Sequence, residues 1–113
     1  MTVIYHMADR TAWLAAVSVD AYFGTAQDQV DGFIHFSTAS QVEESAAKHR
    51  KGVKNLVLIA IDAEVLGSAL RWETARGAQL FPHHYGSLTP SMVRAVYDLP
   101  LGDDGKHVFP PLR

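Results

Sequence analysis

Three short segments of the chain each place a histidine in a run of residues that favours β-strand. They are Ile4-Tyr5-His6, Asp31-Gly32-Phe33-Ile34-His35-Phe36-Ser37 and Leu80-Phe81-Pro82-His83-His84-Tyr85-Gly86. Imidazole can act as acid, base, metal ligand or hydrogen-bond partner near neutral pH. Three such strands in a chain of 113 residues predict that His6, His35 and His83 converge on one cleft.

The alternation of side chains along a strand sorts the candidates by face. Two sets are each predicted to share one face: Phe33, His35 and Ser37, and Phe81, His83 and Tyr85. A structural role is open for each histidine as well. His35 can satisfy backbone groups at a helix start, and His83 beside Pro82 can belong to an edge strand, because proline removes a ladder donor.

Three kinds of chemistry fit these residue types. A metal site would draw on His6, His35, His83, His84 and Glu73, although no HxxxH or HxH spacing supports it. Acid–base catalysis would pair an imidazole with Glu73. Ligand capture would combine imidazoles and aromatic rings with the free amides of the helix expected to start at Thr38, which can receive an anion.

Composition narrows the function classes. With 10 basic and 12 acidic residues, the chain has no overall charge that favours nucleic acid or anionic membranes. The absence of cysteine excludes disulfides, thiolate metal sites and cysteine nucleophiles. The longest apolar run, residues 56–61, is shorter than the roughly 20 residues that cross a bilayer. We expect one cytoplasmic domain over residues 1–113 with no membrane segment.

The sequence patterns predict two main helices and six strands. The strands are expected at residues 3–7, 31–37, 55–62, 70–73, 79–85 and 92–98. Asp9 is expected to cap a helix over residues 11–17, and a capping-box spacing from Thr38 to Gln41 predicts a second helix that ends before Gly52. Residues 18–30 are predicted to form a loop that can include one helical turn. Early helices followed by mostly late strands indicate an α+β domain with a split or bent sheet.

Four motifs, taken together and in order, resemble a widespread small bacterial family known as a domain of unknown function. They are Ile-Tyr-His at residues 4–6, Asp-Gly-Phe-Ile-His-Phe-Ser-Thr at 31–38 with Gln three residues later, Leu-Arg-Trp-Glu at 70–73 and Phe-Pro-His-x-Tyr-Gly-x-Leu at 81–88. That family is similar to the ADP-ribosyltransferase superfamily, which includes the poly(ADP-ribose) polymerases and the RNA 2′-phosphotransferases. The resemblance implies an ADP-ribosyltransferase-like fold in which two small sheets clasp an NAD-shaped cleft.

The resemblance also implies roles for individual residues. His6 looks like the first-strand histidine that binds ribose, and His35 falls where a nicotinamide-stacking tyrosine lies. His83 falls at the third motif position, where transferases commonly carry a glutamate, and Glu73 is the nearby acidic substitute. We therefore expect catalytic residues at His35, His83 and Glu73, and cofactor-binding residues at Tyr5, His6, Ser37 and Tyr85.

The expected ligand is NAD or another ADP-ribose-containing or phosphorylated nucleotide, with ADP-ribosyl transfer or hydrolysis as a further expected activity and no metal. The competing enzyme hypothesis is a metal-dependent hydrolase that uses His6, His35 and His83. The competing hypothesis without catalysis is a ligand-sensing or interaction module.

Overall fold

The computed structural model describes residues 2–112, apart from the side chain of residue 76, and contains three α-helices and seven strands in that range. The strands are β1 Val3–Asp9, β2 Ile34–His35, β3 Ser37–Thr38, β4 Leu56–Asp62, β5 Leu70–Thr74, β6 Leu80–His84 and β7 Ala95–Leu99. The helices are α1 Arg10–Val19, α2 Ala26–Asp31 and α3 Val42–His49. The α+β class predicted from sequence is therefore confirmed, with a third helix that the sequence reading did not include.

The strands form two antiparallel sheets. The first sheet has the order β3-β1-β4-β7, and the second has the order β2-β6-β5. β4 lies in the interior of the first sheet, and its first six residues are all buried, which is why its apolar run shows no alternation. One apolar cluster covers the face of the first sheet to which Ile4 and Ile59 project. A second cluster covers the opposite face, where Val42 of α3 packs with Leu58.

The chain passes from one sheet to the other at Phe36. Residues 31–37 were expected to form one strand, and this prediction is wrong. Asp31 ends α2, β2 pairs with β6 in the second sheet, and β3 pairs with β1 in the first. Because β3 pairs only with Ile4 and Tyr5, the edge of β1 beyond Tyr5 is left open toward the second sheet.

Helix α2 occupies part of the segment that was expected to be a loop. Its N-cap is Thr25, whose hydroxyl accepts a bond from the Asp28 amide at 3.1 Å, while Asp28 Oδ2 accepts a bond from the Thr25 amide at 2.8 Å. This reciprocal pair is a capping box. Gly32 ends the helix with φ of +87°, in the left-handed region that glycine adopts at least cost.

Helices α1 and α3 show how far local capping rules apply. Asp9 caps α1 as expected, with Oδ2 accepting a bond from the Ala12 amide at 2.9 Å. The predicted helix start at Thr38 is wrong, since α3 begins at Val42. Gln41 Oε1 does accept a bond from the Thr38 amide at 3.0 Å, but this bond closes a turn before the helix.

Pro82 lies in a central strand, so the edge-strand alternative for His83 is wrong. β6 pairs with β2 on one side and with β5 on the other. The Pro82 carbonyl accepts a hydrogen bond from the Phe36 amide at 3.0 Å, so the backbone hydrogen-bonding groups of Pro82 point toward the β2 side of the strand. β2 ends at His35, so the missing proline N–H falls where the ladder has already ended.

The remaining elements differ from expectation at their ends. β5 and β6 match the expected strands closely, whereas β7 begins at Ala95 because residues 90–92 form a 3₁₀ turn that starts with proline. None of the helices in residues 2–112 is long and apolar enough to cross a membrane.

Truncation of Leu58 tests the role of β4 as the core of the first sheet. Leu58 is fully buried, so Leu58→Ala is expected to lower the free energy of unfolding by about 2–5 kcal/mol through lost burial and a residual cavity. Val65→Ala, at a half-exposed position, is the matched control and is expected to cost less than about 0.5 kcal/mol. Urea unfolding at pH 7 measures both, and equal losses would contradict this assignment of the core.

Candidate functional site

A cavity of about 580 Å³ opens between the two sheets, next to the unpaired part of β1. Its polar and charged wall combines imidazoles, carboxylates, hydroxyls and an arginine. The lining includes Tyr5, His6, Asp28, Asp31, His35, Ser37, Arg50 and His83. The three histidines predicted to converge therefore do line one cavity.

His6 lies at the back of this cavity and is buried. Its Nδ1 donates to the His35 carbonyl oxygen at 2.7 Å, and its Nε2 accepts from the Tyr22 hydroxyl at 2.7 Å. Burial lowers the pKa of His6, although the charge of Asp28 acts in the opposite direction. Burial and then the Asp28 charge raise the pKa of Tyr22. Both ring nitrogens of His6 thus have partners inside the protein, which leaves neither free to contact a ligand.

Asp28 connects helix α2 to His35. Besides closing the capping box, its Oδ1 accepts from His35 Nδ1 at 2.5 Å and from the His35 amide at 3.3 Å. Burial alone would raise the pKa of Asp28, but these hydrogen bonds and nearby charge outweigh it and lower the pKa. Gly24 makes room for this arrangement, because a Cβ at that position would lie 2.6 Å from Asp28 Oδ2.

The His35 ring also contacts a second carboxylate. Its Nε2 lies 3.2 Å from Asp31 Oδ2, one helical turn beyond Asp28 on α2. The two carboxylates of α2 thus hold the His35 ring from both of its nitrogens. The ring is 42% exposed, so a ligand in the cavity can reach it.

His83 forms a second imidazole–carboxylate pair. Its Nδ1 lies 2.8 Å from Glu73 Oε1, and the Tyr85 hydroxyl donates to the same oxygen at 2.7 Å. His83 lies opposite Arg71 and Glu73 lies opposite Phe81, so the pair is a diagonal contact across β5 and β6. The hydrogen bonds from Tyr85 and His83 lower the pKa of Glu73, and the bond to Glu73 raises the pKa of Tyr85.

The two imidazole–carboxylate pairs meet at the cavity wall. His35 lies directly opposite His83 in the β2–β6 ladder, and their ring centroids are 5.5 Å apart. The Phe33 ring stacks on His83 at 4.1 Å and contacts His35 at 4.4 Å. No partner for His83 Nε2 lies within the described part of the chain. The geometry therefore places His83 Nε2, which has no partner among the described residues, beside a second, carboxylate-bound imidazole.

Arg50 supplies a positive charge to the same cavity from the C-terminal end of α3. Neither a hydrogen bond nor an ion pair joins its guanidinium to a residue that the structure describes. Guanidinium groups bind phosphate and carboxylate with paired hydrogen bonds. An anionic group that enters the cavity would meet this cation.

Comparison with known proteins identifies the family of the chain and similar solved structures. The family model described as "Protein of unknown function (DUF952)" matches residues 7–96. The chain belongs to this family. The crystal structure of protein CC0527 from Caulobacter crescentus is similar, with 45% identity, a TM-score of 0.91 and coverage of 95% of this chain and 94% of that one. No curated protein matches the chain.

The solution NMR structure of CC0527 agrees, with 46% identity, a TM-score of 0.84 and coverage of 94% of this chain and 91% of that one. Membership of a small family of unknown function, expected from the four motifs, is thus confirmed. None of these comparisons links this DUF952 protein to the ADP-ribosyltransferase superfamily.

The other predicted site residues occupy different positions in this DUF952 domain. Tyr5 and Ser37 line the cavity but are buried, and Ser37 Oγ lies 3.2 Å from Ser45 Oγ. Tyr85 lies outside the lining and holds Glu73. His84 faces the interior, where its Nε2 donates to the Ser87 carbonyl at 3.1 Å.

Sequence reasoning missed Asp28, Asp31 and Arg50. The spacing Thr25-x-x-Asp28, followed by a glycine at residue 32, is a capping-box signal that predicts a short helix here. That signal would have located both carboxylates. Nothing in the sequence distinguishes Arg50 from other surface arginines at the end of a helix.

One expected mode of ligand binding and one competing hypothesis find no support in the described residues. The amides at Thr38 do not start a helix, so the expected anion site on that helix is wrong. Within residues 2–112, no three histidine, aspartate or glutamate side chains are arranged to hold a metal ion.

Neutralising Asp28 tests the hydrogen-bond network at the cavity wall. Because the pKa of Asp28 is lower in the folded protein than in the unfolded chain, its ionised carboxylate stabilises the fold at pH values above the ordinary pKa of an aspartate. This stabilisation is lost as the pH falls through the lowered pKa of the folded state. Asp28→Asn is therefore expected to cost about 1–3 kcal/mol at pH 7. The difference from the wild type should shrink below about pH 4.

Chemical unfolding at several pH values measures this difference. Asp103→Asn, in an exposed loop, is the control and should match the wild type throughout. A gap for Asp28→Asn that is absent at pH 7, or that stays constant down to pH 3, would contradict the assigned role of the carboxylate.

Proposed function

We propose that the cavity binds NAD or another ADP-ribose-containing or phosphorylated nucleotide. The observation that carries the proposal is the convergence of His35, His83 and Arg50, whose guanidinium has no partner among the described residues, on one cavity of about 580 Å³. Cavities of roughly 300–1,000 Å³ are typical of small-molecule sites. The resemblance of the sequence motifs to the ADP-ribosyltransferase superfamily suggests the same class of ligand.

Phosphate recognition falls to Arg50 in this proposal. Its guanidinium lines the cavity without a described partner, so binding a phosphate would break no existing ion pair. The His35 ring, whose side chain is 42% exposed, adds a second donor when a ligand oxygen takes the place of Asp31 at Nε2. A ligand with negative charge at one end satisfies both groups.

In this proposal, the ribose hydroxyls bind to the part of the cavity that is lined by Asp31 and Thr25. The Asp31 side chain is about one-third exposed. Carboxylate oxygens accept hydrogen bonds from vicinal hydroxyls. The combination of a cation and carboxylates in one cavity suits a phosphorylated sugar better than a simple anion.

His6 has a different role from the one that the resemblance implies. The ribose-binding role needs a free ring nitrogen, and both nitrogens of His6 are engaged by His35 and Tyr22. In the proposal His6 is a positioning residue. It holds the backbone of His35 from behind, so that the His35 ring faces the cavity.

ADP-ribosyl transfer or hydrolysis stays a prediction. Glu73 is the carboxylate nearest to the third motif position, but its Oε1 already accepts bonds from His83 and Tyr85. A carboxylate held in this way orients an imidazole more directly than it contacts a ribose. The proposal therefore concerns ligand binding and not catalysis. If the site binds the ligand without a reaction, the protein matches the ligand-sensing hypothesis.

Calorimetric titration with ADP-ribose and with NAD at pH 7.5 tests the proposal. The wild type is expected to bind at least one of them, and Arg50→Gln is expected to weaken binding about 10- to 100-fold, as for loss of a charge-assisted hydrogen bond. Lys54→Gln removes a charge of the same sign at an exposed position and should bind like the wild type.

The two variants separate the cavity from general electrostatics. Similar losses in Arg50→Gln and Lys54→Gln would mean that the ligand responds to overall charge and would contradict the assigned site. No heat and no thermal stabilisation of the wild type at millimolar ligand would remove the proposed function.

A further inference from the structure

We infer that the two imidazole–carboxylate pairs form a base and an acid that open a five-membered cyclic phosphodiester of ribose with water. The inference rests on the proposed function, because it names the substrate class of the same cavity. Glu73–His83 supplies the base, and His35 with Asp28 supplies the acid.

His83 has the geometry of a general base. Its Nδ1 proton is directed to Glu73 Oε1 at 2.8 Å, which leaves the lone pair on Nε2. His83 lines the cavity, and Nε2 has no partner among the described residues. Tyr85 fixes the same carboxylate oxygen from the other side at 2.7 Å. A water molecule in the cavity can therefore lose a proton to His83.

His35 has the geometry of a general acid. Asp28 accepts from Nδ1 at 2.5 Å, and Asp31 lies 3.2 Å from Nε2. Each ring nitrogen of His35 therefore lies within hydrogen-bond distance of a carboxylate oxygen, and the Asp31 side chain is about one-third exposed. A ligand oxygen that displaces Asp31 would receive the Nε2 proton. The acid and the base are neighbours, with ring centroids 5.5 Å apart.

The cations of the cavity, Arg50 and a protonated His35, favour reaction at phosphorus over reaction at the anomeric carbon of a nucleotide ribose, because Asp28 and Asp31 are already engaged with His35. Cleavage of a glycosidic bond builds positive charge on the sugar, which Arg50 and a protonated His35 would oppose. Attack on phosphorus builds negative charge on the phosphoryl oxygens and on the departing oxygen. The same two cations would stabilise that charge.

A cyclic ribose phosphate fits the number of acid–base groups. Opening its strained five-membered ring requires one proton to leave the attacking water and one to reach the departing ribose oxygen. The cavity wall provides one imidazole for each transfer. In the step, His83 Nε2 takes the water proton as the oxygen–phosphorus bond forms. The phosphorus bond to one ribose oxygen breaks, and His35 gives that oxygen its proton.

The product is a ribose phosphomonoester. His83 ends the step with the extra proton and His35 ends it with one fewer, so exchange with solvent restores both rings. No oxidant, reductant or second substrate other than water enters the step.

The test incubates the full chain with 2′,3′-cyclic AMP and follows the products by ³¹P NMR and chromatography. The wild type is expected to form 2′-AMP or 3′-AMP. His83→Gln and His35→Gln are each expected to lower kcat about 100-fold or more. Glu73→Gln, a change in a positioning residue, should lower kcat with little change in KM. 3′,5′-cyclic AMP, with a six-membered ring, should persist under the same conditions.

All variants are purified in parallel, and their thermal melts report folding. The control variant His107→Gln changes a histidine outside the cavity lining and should react like the wild type. Turnover that persists in a folded double variant, His35→Gln with His83→Gln, would reveal a contaminating enzyme and overturn the inference. Binding of ADP-ribose without ring opening by the wild type would overturn it while the proposed function stands. If neither binding nor turnover occurs, both fail.

Discussion

The antiparallel register that sets His35 opposite His83 is the constraint on which the candidate site depends. Opposed residues in antiparallel strands project to the same face, so this register brings two imidazoles together from segments that are far apart in the chain. A slip of one residue would turn the neighbouring His84 to the cavity and His83 to the interior. The register is held by Ile34, which lies opposite His84 on the buried face, and by the Phe36 amide bond to Pro82.

Each imidazole gains its carboxylate from a different kind of local structure. Glu73 reaches His83 because the two are diagonal neighbours in a ladder, whereas Asp28 reaches His35 because a capping box fixes it at the start of a short helix. His6 and Tyr22 close the arrangement from behind, with both His6 nitrogens bonded. Polar groups in such a network limit one another's movement, so the rings facing the cavity are oriented before any ligand arrives.

The sequence allowed the class of the fold and some of the residues that line the cavity to be predicted, for reasons visible in single residues. The period-two pattern around His83 and the unbroken apolar run of β4 are local signals, and they located β6 and the core strand. The break at Phe36 was not predictable in this way, because a switch between sheets depends on tertiary pairing and leaves an ordinary strand pattern in the sequence. Asp28 could have been predicted, because the capping-box spacing from Thr25 indicates a helix at that point. The position of Arg50 in the cavity could not, because it depends on how α3 packs.

The most direct test of the account is ¹H–¹⁵N NMR of the histidine rings at pH 7, with and without ADP-ribose. The account predicts that His83 carries its proton on Nδ1 and has an unprotonated Nε2, that the His35 and His83 ring signals shift on addition of ligand, and that those of His107 do not. A His83 ring protonated at Nε2 alone, or ligand binding that leaves both cavity rings unchanged, would contradict the claim that these two imidazoles form one site.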